Sequence, residues 1–176
     1  MNSSNHTPTA SPGRQAALYG LLVAAAIVCG YLEMLVPLPV TVPGVKLGLG
    51  NAVVLLALER LGTKPGLCIM LAKVLTSSLL FANLQMLAFS LAGGLLSWAV
   101  MAAAVRSGLF STVASSVLGG IAHNAGQLLA VAVLLSPQVA FVNAPVLAIA
   151  GVLCGAGVGI VVNILLKSLP SEAFHG

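Results

Sequence analysis

The chain has 176 residues, 59% of them hydrophobic and only 6% charged, with a mean hydropathy of +1.11. Soluble domains carry about a quarter of their residues as charges, so this composition excludes a water-soluble fold and defines an integral membrane protein. Glu33, Glu59 and Glu172 are the acidic residues and aspartate is absent, which removes clustered-aspartate magnesium chemistry and most two-carboxylate mechanisms. The net charge of +4 does not point to nucleic acid, because the lysines and arginines lie singly between apolar runs and form no basic stripe.

In chain order, residues 1–15 are rich in Ser, Asn, Thr and Pro and read as a flexible tail ending near Arg14. The apolar run that follows is too long for a signal-peptide core and is expected to anchor. A helix that crosses the bilayer needs roughly 17 to 25 predominantly apolar residues. Candidates fall at 16–36, 47–60, 65–82, 86–105, 112–135 and 144–167. The second is short, and crosses only with tilted neighbours, a thinned bilayer, or help from the glycine-rich segment before it. Turn chemistry separates the spans: Pro37 and Pro39, Gly62 to Gly66, Asn83 to Gln85, Ser107 and Gly108, and Pro137 to Pro145. The expectation is an all-α membrane protein, one six-transmembrane-helix bundle over 16–168 with a short tail at 169–176.

Positive charge accumulates on the cytoplasmic side of span ends. An internal N-terminus puts Arg14, Arg60, Lys64, Arg106 and Lys167 inside and Lys46 alone outside. Both termini are therefore expected to be cytoplasmic, in a multi-pass protein of a bacterial inner membrane. Small residues recur at Gly20 and Ala24, Gly93 and Gly94, Gly119 and Gly120, and Gly151, Gly155 and Gly159, where helices in lipid can approach closely.

Polar groups at bilayer depth are costly and need partners or a function. The segment Pro43-Gly-Val-Lys46-Leu-Gly-Leu-Gly-Asn51 threads a lysine and an asparagine through glycines, a backbone tolerated at that depth only inside protein or along a wet cavity. Glu33 lies near the outer end of the first span. Lys73 sits roughly 12 Å into the third, too deep to snorkel, with Thr76 and Ser77 continuing its face outward. Two readings stand for Lys73: an internal ion pair with Glu33, or a partnership with Lys46 that attracts an anionic ligand while Glu33 orients one of them. His123, Asn124 and Gln127 sit within one turn, about halfway across, as a ligand-facing trio or as interhelical hydrogen-bond donors. Ser97, Trp98 and Met101 form either a pocket wall or, for the tryptophan, an interfacial anchor. Cys29, Cys68 and Cys154 lie inside apolar runs as small hydrophobes. A zinc site is not expected, because the fifth span offers one ligand of the several that zinc needs.

These motifs resemble a known family. Pro37-x-Pro39, the Pro43 to Asn51 segment, Ser90-Leu-Ala-Gly-Gly94 with Met101, and Gly120-x-x-His123-Asn124-x-Gly126-Gln127 look like the Gx transporter family. Its members are often labelled heptaprenyl diphosphate synthase component I. The family is in turn similar to the substrate-binding S components of energy-coupling factor importers. That resemblance implies six helices, internal termini and an external loop after the first helix that caps a substrate. Where the family usually carries an arginine in the third span this chain has Lys73, which keeps the charge and loses the bidentate fork.

Two functions follow. The first is an S-like subunit that captures a small, partly anionic, vitamin-like molecule through Glu33, Lys46, Asn51, Lys73, His123, Asn124 and Gln127. Energy would come from a transmembrane coupling subunit and separate ATPases, since no nucleotide-binding motif is present; docking is expected at Gly20, Ala24 and Ala25. The second is a non-catalytic accessory or assembly subunit for membrane redox, isoprenoid or quinone metabolism. The chemistry argues strongly against prenyl transfer by this chain itself, since departing diphosphate is stabilised by magnesium on clustered aspartates and the chain has none. No cofactor is expected, and no ring of charges or repeated filter suggests a channel.

Overall fold

A computed structural model describes residues 12–35, 48–81, 84–169 and 174. These form six helices: α1 (Pro12–Met34), α2 (Asn51–Arg60), α3 (Thr63–Phe81), α4 (Leu84–Ser107), α5 (Thr112–Leu134) and α6 (Pro137–Ser168). No strand occurs among the described residues. Lys46, Asn83 and the two tails of the sequence reading lie outside the described residues, apart from the first turn of α1, Leu169 and Phe174.

Four helices, α1, α4, α5 and α6, are long and apolar enough to cross a bilayer. Helices α2 and α3, expected as the second and third of six spans, are not among these four. Helix α2 has 10 residues, about 15 Å at 1.5 Å per residue, half of a hydrocarbon core. Its positions 53–58 are all buried, with Leu55 and Ala57 fully so. It packs against α1, α3, α4, α5 and α6, so it is the central peg of the bundle rather than a wall facing lipid.

Local sequence explains where the peg starts and stops. Gly48 adopts φ +88° and Gly62 φ +95°, left-handed positions that glycine alone enters cheaply. At the far end the amides of Leu61 and Gly62 both donate to the Ala57 carbonyl, at 2.8 and 3.0 Å, closing the helix on a glycine. Helices α5 and α6 begin on serine caps: Ser111 accepts from Ala114 N at 3.2 Å and Ser136 from Val139 N at 3.2 Å. Helix α6 begins at Pro137, not near 144. The prolines read as a turn are instead a first-turn residue, preset in φ, and Pro145 inside the helix.

Glycines set the packing of α4, α5 and α6. A methyl on Gly120 would strike the Gly151 carbonyl, and one on Gly155 or Gly159 would lie 2.8 or 2.7 Å from the Val117 or Val113 α-carbon. One-turn spacing along α6 thus forms a groove in which α5 lies backbone to backbone, the close approach that small residues permit in lipid. Gly126 makes the matching approach to α4, against Ala92 and Gly93. The main hydrophobic cluster wraps α2, while Phe89, Val131, Ala140 and Leu147 form a smaller one between α4, α5 and α6. Large exposed apolar side chains such as Leu79, Val133 and Phe141 cover the periphery, as hydrocarbon contact requires.

Candidate functional site: a polar cluster at the head of helix α2

The polar residues of four helices converge on the start of α2. Gly30, Glu33, Gly48, Asn51, Met70, Lys73, Val74, Ser77, Ser90, Gly94 and His123 enclose a cavity of ≈ 20 Å³, room for about one water. Every polar side chain in that lining is buried.

Glu33 lies one turn beyond Gly30 on α1, and its carboxylate accepts a hydrogen bond from the Gly48 amide. It thereby ties the residues just before α2 to the end of α1 and lies near the positive end of the α2 dipole. Lys73 rises from the middle of α3 and is 8% exposed. A Cβ on Gly50 would meet the Lys73 Nζ, with Cε at 2.5 Å and Cδ at 3.2 Å; the lysine stem lies directly across the glycine that precedes α2. Gly30 leaves room on the other side, where a Cβ would sit 3.7 Å from Ser77 Oγ. Asn51 donates from Nδ2 to Ser97 Oγ at 3.2 Å, fixing the first turn of α2 to α4. None of Glu33, Lys73 and His123 is without a partner.

Of the residues singled out from sequence, Glu33, Asn51, Lys73 and His123 thus share one cavity. Asn124 does not line it. Its Nδ2 donates to the Leu147 carbonyl at 2.7 Å, so it clamps α5 to α6. Gln127 lies beside the cavity rather than in its lining: its Cγ and His123 Cε1 would both crowd a Cβ on Gly93, at 2.9 and 3.1 Å. Trp98 donates from Nε1 to the Thr63 carbonyl at 3.2 Å, a peg between α4 and the start of α3. Met101 packs over Gly119. Gly20 and Ala24 are exposed on α1, with nothing near a Cβ on Gly20, while Ala25 is half-buried against the core. Lys46 lies outside the described residues. Gly30, Met70 and Gly94 were not foreseen as lining residues, since small and apolar side chains in a membrane helix carry no signal of what they face.

At the other end of α2, Arg60 donates to the carbonyls of Leu166 and, at 3.0 Å, Leu169, and stands 5.7 Å over the Phe174 ring. Thr112 Oγ1 donates to Glu59 Oε1 at 3.2 Å. Charge thus anchors α2 to α5 and α6 at the end remote from the cavity. Among the described residues no group of His, Cys, Asp and Glu is placed to hold a metal ion.

An all-helical bundle with several bilayer-length apolar helices, whose intramembrane polar groups turn inward around a short central helix, is a multi-pass membrane protein. Residues 22–165 match the family described as heptaprenyl diphosphate synthase component I, and the chain belongs to that family. No curated protein and no solved structure matches it.

Proposed function

We propose that the protein is the substrate-binding membrane subunit of an uptake system for a small, partly anionic molecule, energised by a separate ATPase module. One observation carries the reading: Glu33, Asn51, Lys73, Ser77, Ser90 and His123 are withdrawn from lipid into one cavity at the N-terminus of α2. Intramembrane ionisable groups of this kind mark ligand or ion pathways, and a helix N-terminus beside a lysine favours an anionic group, which here shares that end with the Glu33 carboxylate. The distribution of lysine and arginine supports internal termini in a bacterial cytoplasmic membrane, which turns this cavity toward the outside.

Binding is coupled to opening. A cavity of ≈ 20 Å³ is far below the several hundred Å³ of a small-molecule pocket. Lys73 is the side chain best able to yield, because a flexible four-carbon stem fills the space over Gly50. Helix α1 is the element best able to move, since it packs principally on α2 and α3. The open Gly20 and Ala24 face of α1 suits a transmembrane coupling subunit. Ala24→Leu should reduce its co-purification severalfold while leaving ligand retention unchanged; intact association would remove α1 as the docking face.

The family description as a synthase component favours one rival, a non-catalytic accessory subunit. Purification in mild detergent, with mass spectrometry of extracted small molecules and of accompanying proteins, separates the two. A retained small molecule together with an ATPase supports uptake. A redox or prenyl-synthase partner with no small molecule supports the accessory role. Lys73→Ala and His123→Ala should each lower ligand retention about tenfold, the scale of one charge-assisted hydrogen bond; Lys46→Ala is to be measured beside them. Unchanged retention in all three would remove the cavity from the function.

A further inference from the structure

Beside the cavity, outside its lining, lies a buried neutral amide. Gln127 is 0% exposed and neither its Oε1 nor its Nε2 has a hydrogen-bond partner among the described residues. The hydroxyls of Ser77 and Ser90, both in the cavity lining, are buried without partners among those residues too. Buried amides and hydroxyls are otherwise almost always paired, because an unpaired one forfeits its hydration for nothing. Gln127 stands out, since a leucine of similar volume in that place would leave nothing unsatisfied. Its neighbour Asn124 leaves only Oδ1 without a partner among the described residues and bonds an α6 carbonyl through Nδ2. Gln127 makes none.

We infer that Gln127, with Ser90, forms an amide-reading subsite. The substrate of the proposed uptake function is thereby a planar cyclic amide or imide that also bears an acidic group. A primary amide offers one donor and one acceptor in a plane, and its complement is a ring edge carrying N–H beside C=O. The anionic group belongs at the other end, by Lys73 and the head of α2, where the charge lies. His123 connects the two, lining the cavity and lying with Gln127 against Gly93. Sites built to pair a substrate N–H or C=O reject analogues lacking it far more strongly than apolar pockets do, so the neutral end supplies discrimination and the charged end attraction.

This inference rests on the uptake reading, and the test separates the two. Full-length protein in lipid nanodiscs is titrated calorimetrically with orotate, which has an imide edge and a carboxylate, with benzoate, which has only the carboxylate, and with uracil, which has only the edge. Orotate is expected to bind at least tenfold tighter than either. Gln127→Leu should erase the advantage over benzoate without weakening benzoate, and should keep or raise the thermal midpoint. Lys73→Gln should erase the advantage over uracil. Equal binding of orotate and benzoate by the native protein overturns the amide subsite while leaving an anion-binding uptake subunit standing. Binding of none of the three overturns the amide subsite, and the uptake reading falls only if purification also yields no retained small molecule. A lowered midpoint for Gln127→Leu with the orotate preference retained assigns Gln127 to helix packing and overturns the subsite.

Discussion

Gly50 and Gly120 look alike in sequence, and a methyl group at each has opposite consequences. At Gly50 the added carbon meets the end of a flexible lysine, whereas at Gly120 it meets the backbone of Gly151. Gly50→Ala should therefore cost less than about 1 kcal/mol of stability while displacing the Lys73 ammonium, with ligand retention falling about tenfold. Parallel thermal unfolding and ligand extraction check this; a large stability loss with normal retention would contradict the described position of Lys73. The inward direction of Glu33, Asn51, Lys73 and His123 was legible in the sequence, because lipid forbids the alternative. The split between His123 and Asn124 was not. Adjacent helical residues point about 100° apart, and only the position of α6 determines that one faces the cavity while the other bonds to Leu147.

Helix α6 tests packing at the level of an element. Gly155 and Gly159 abut the α5 backbone whereas Gly157 has open space around it. Leucine at position 155 should separate α5 from α6 and cost about 2 kcal/mol or more, and leucine at 157 should stay within about 0.5 kcal/mol. Reversible unfolding in mixed micelles measures both; equal effects would mean that α5 and α6 do not meet along this stripe. Helix boundaries were legible to within a few residues for α3, α4 and α5, where hydropathy and turn residues agree. The start of α6 was not, because Pro137 and Pro145 carry the composition of a turn. Only Ser136 as cap gives Pro137 its meaning as a first-turn residue. The glycine-rich approach to α2 announced an unusual backbone, but nothing local distinguishes a short peg from a short span.

For the whole molecule, the distribution of charge and the arrangement of elements make one joint prediction about sidedness. In a background with Cys29, Cys68 and Cys154 replaced by alanine, Ser136→Cys should react with a membrane-impermeant maleimide in intact cells. Ser107→Cys should react only after permeabilisation. The reverse pattern would place the Lys73 cavity on the cytoplasmic side and end the uptake proposal. Fold class was readable from composition alone, since so apolar a chain has little choice but helices in lipid. The central place of α2 was not, because it arises from five separate helix contacts, three of them with α4, α5 and α6 far along the chain.

That central helix also bears on how the protein is made. With 10 residues ending in Glu59 and Arg60, α2 is too short and too charged at one end to partition into a bilayer by itself. Its insertion must draw on its companions. α3 follows after a turn at Gly62, and a hairpin of the two presents a longer apolar mass than α2 alone. Arg60 meets its carbonyl partners at Leu166 and Leu169 only after α6 has been synthesised. The polar cluster at the head of α2 draws its lining from α1 to α5 and can close first, so truncation of the end of α6 should release the Arg60 end of α2 while the cluster still forms, read as a lowered thermal midpoint with ligand retention kept.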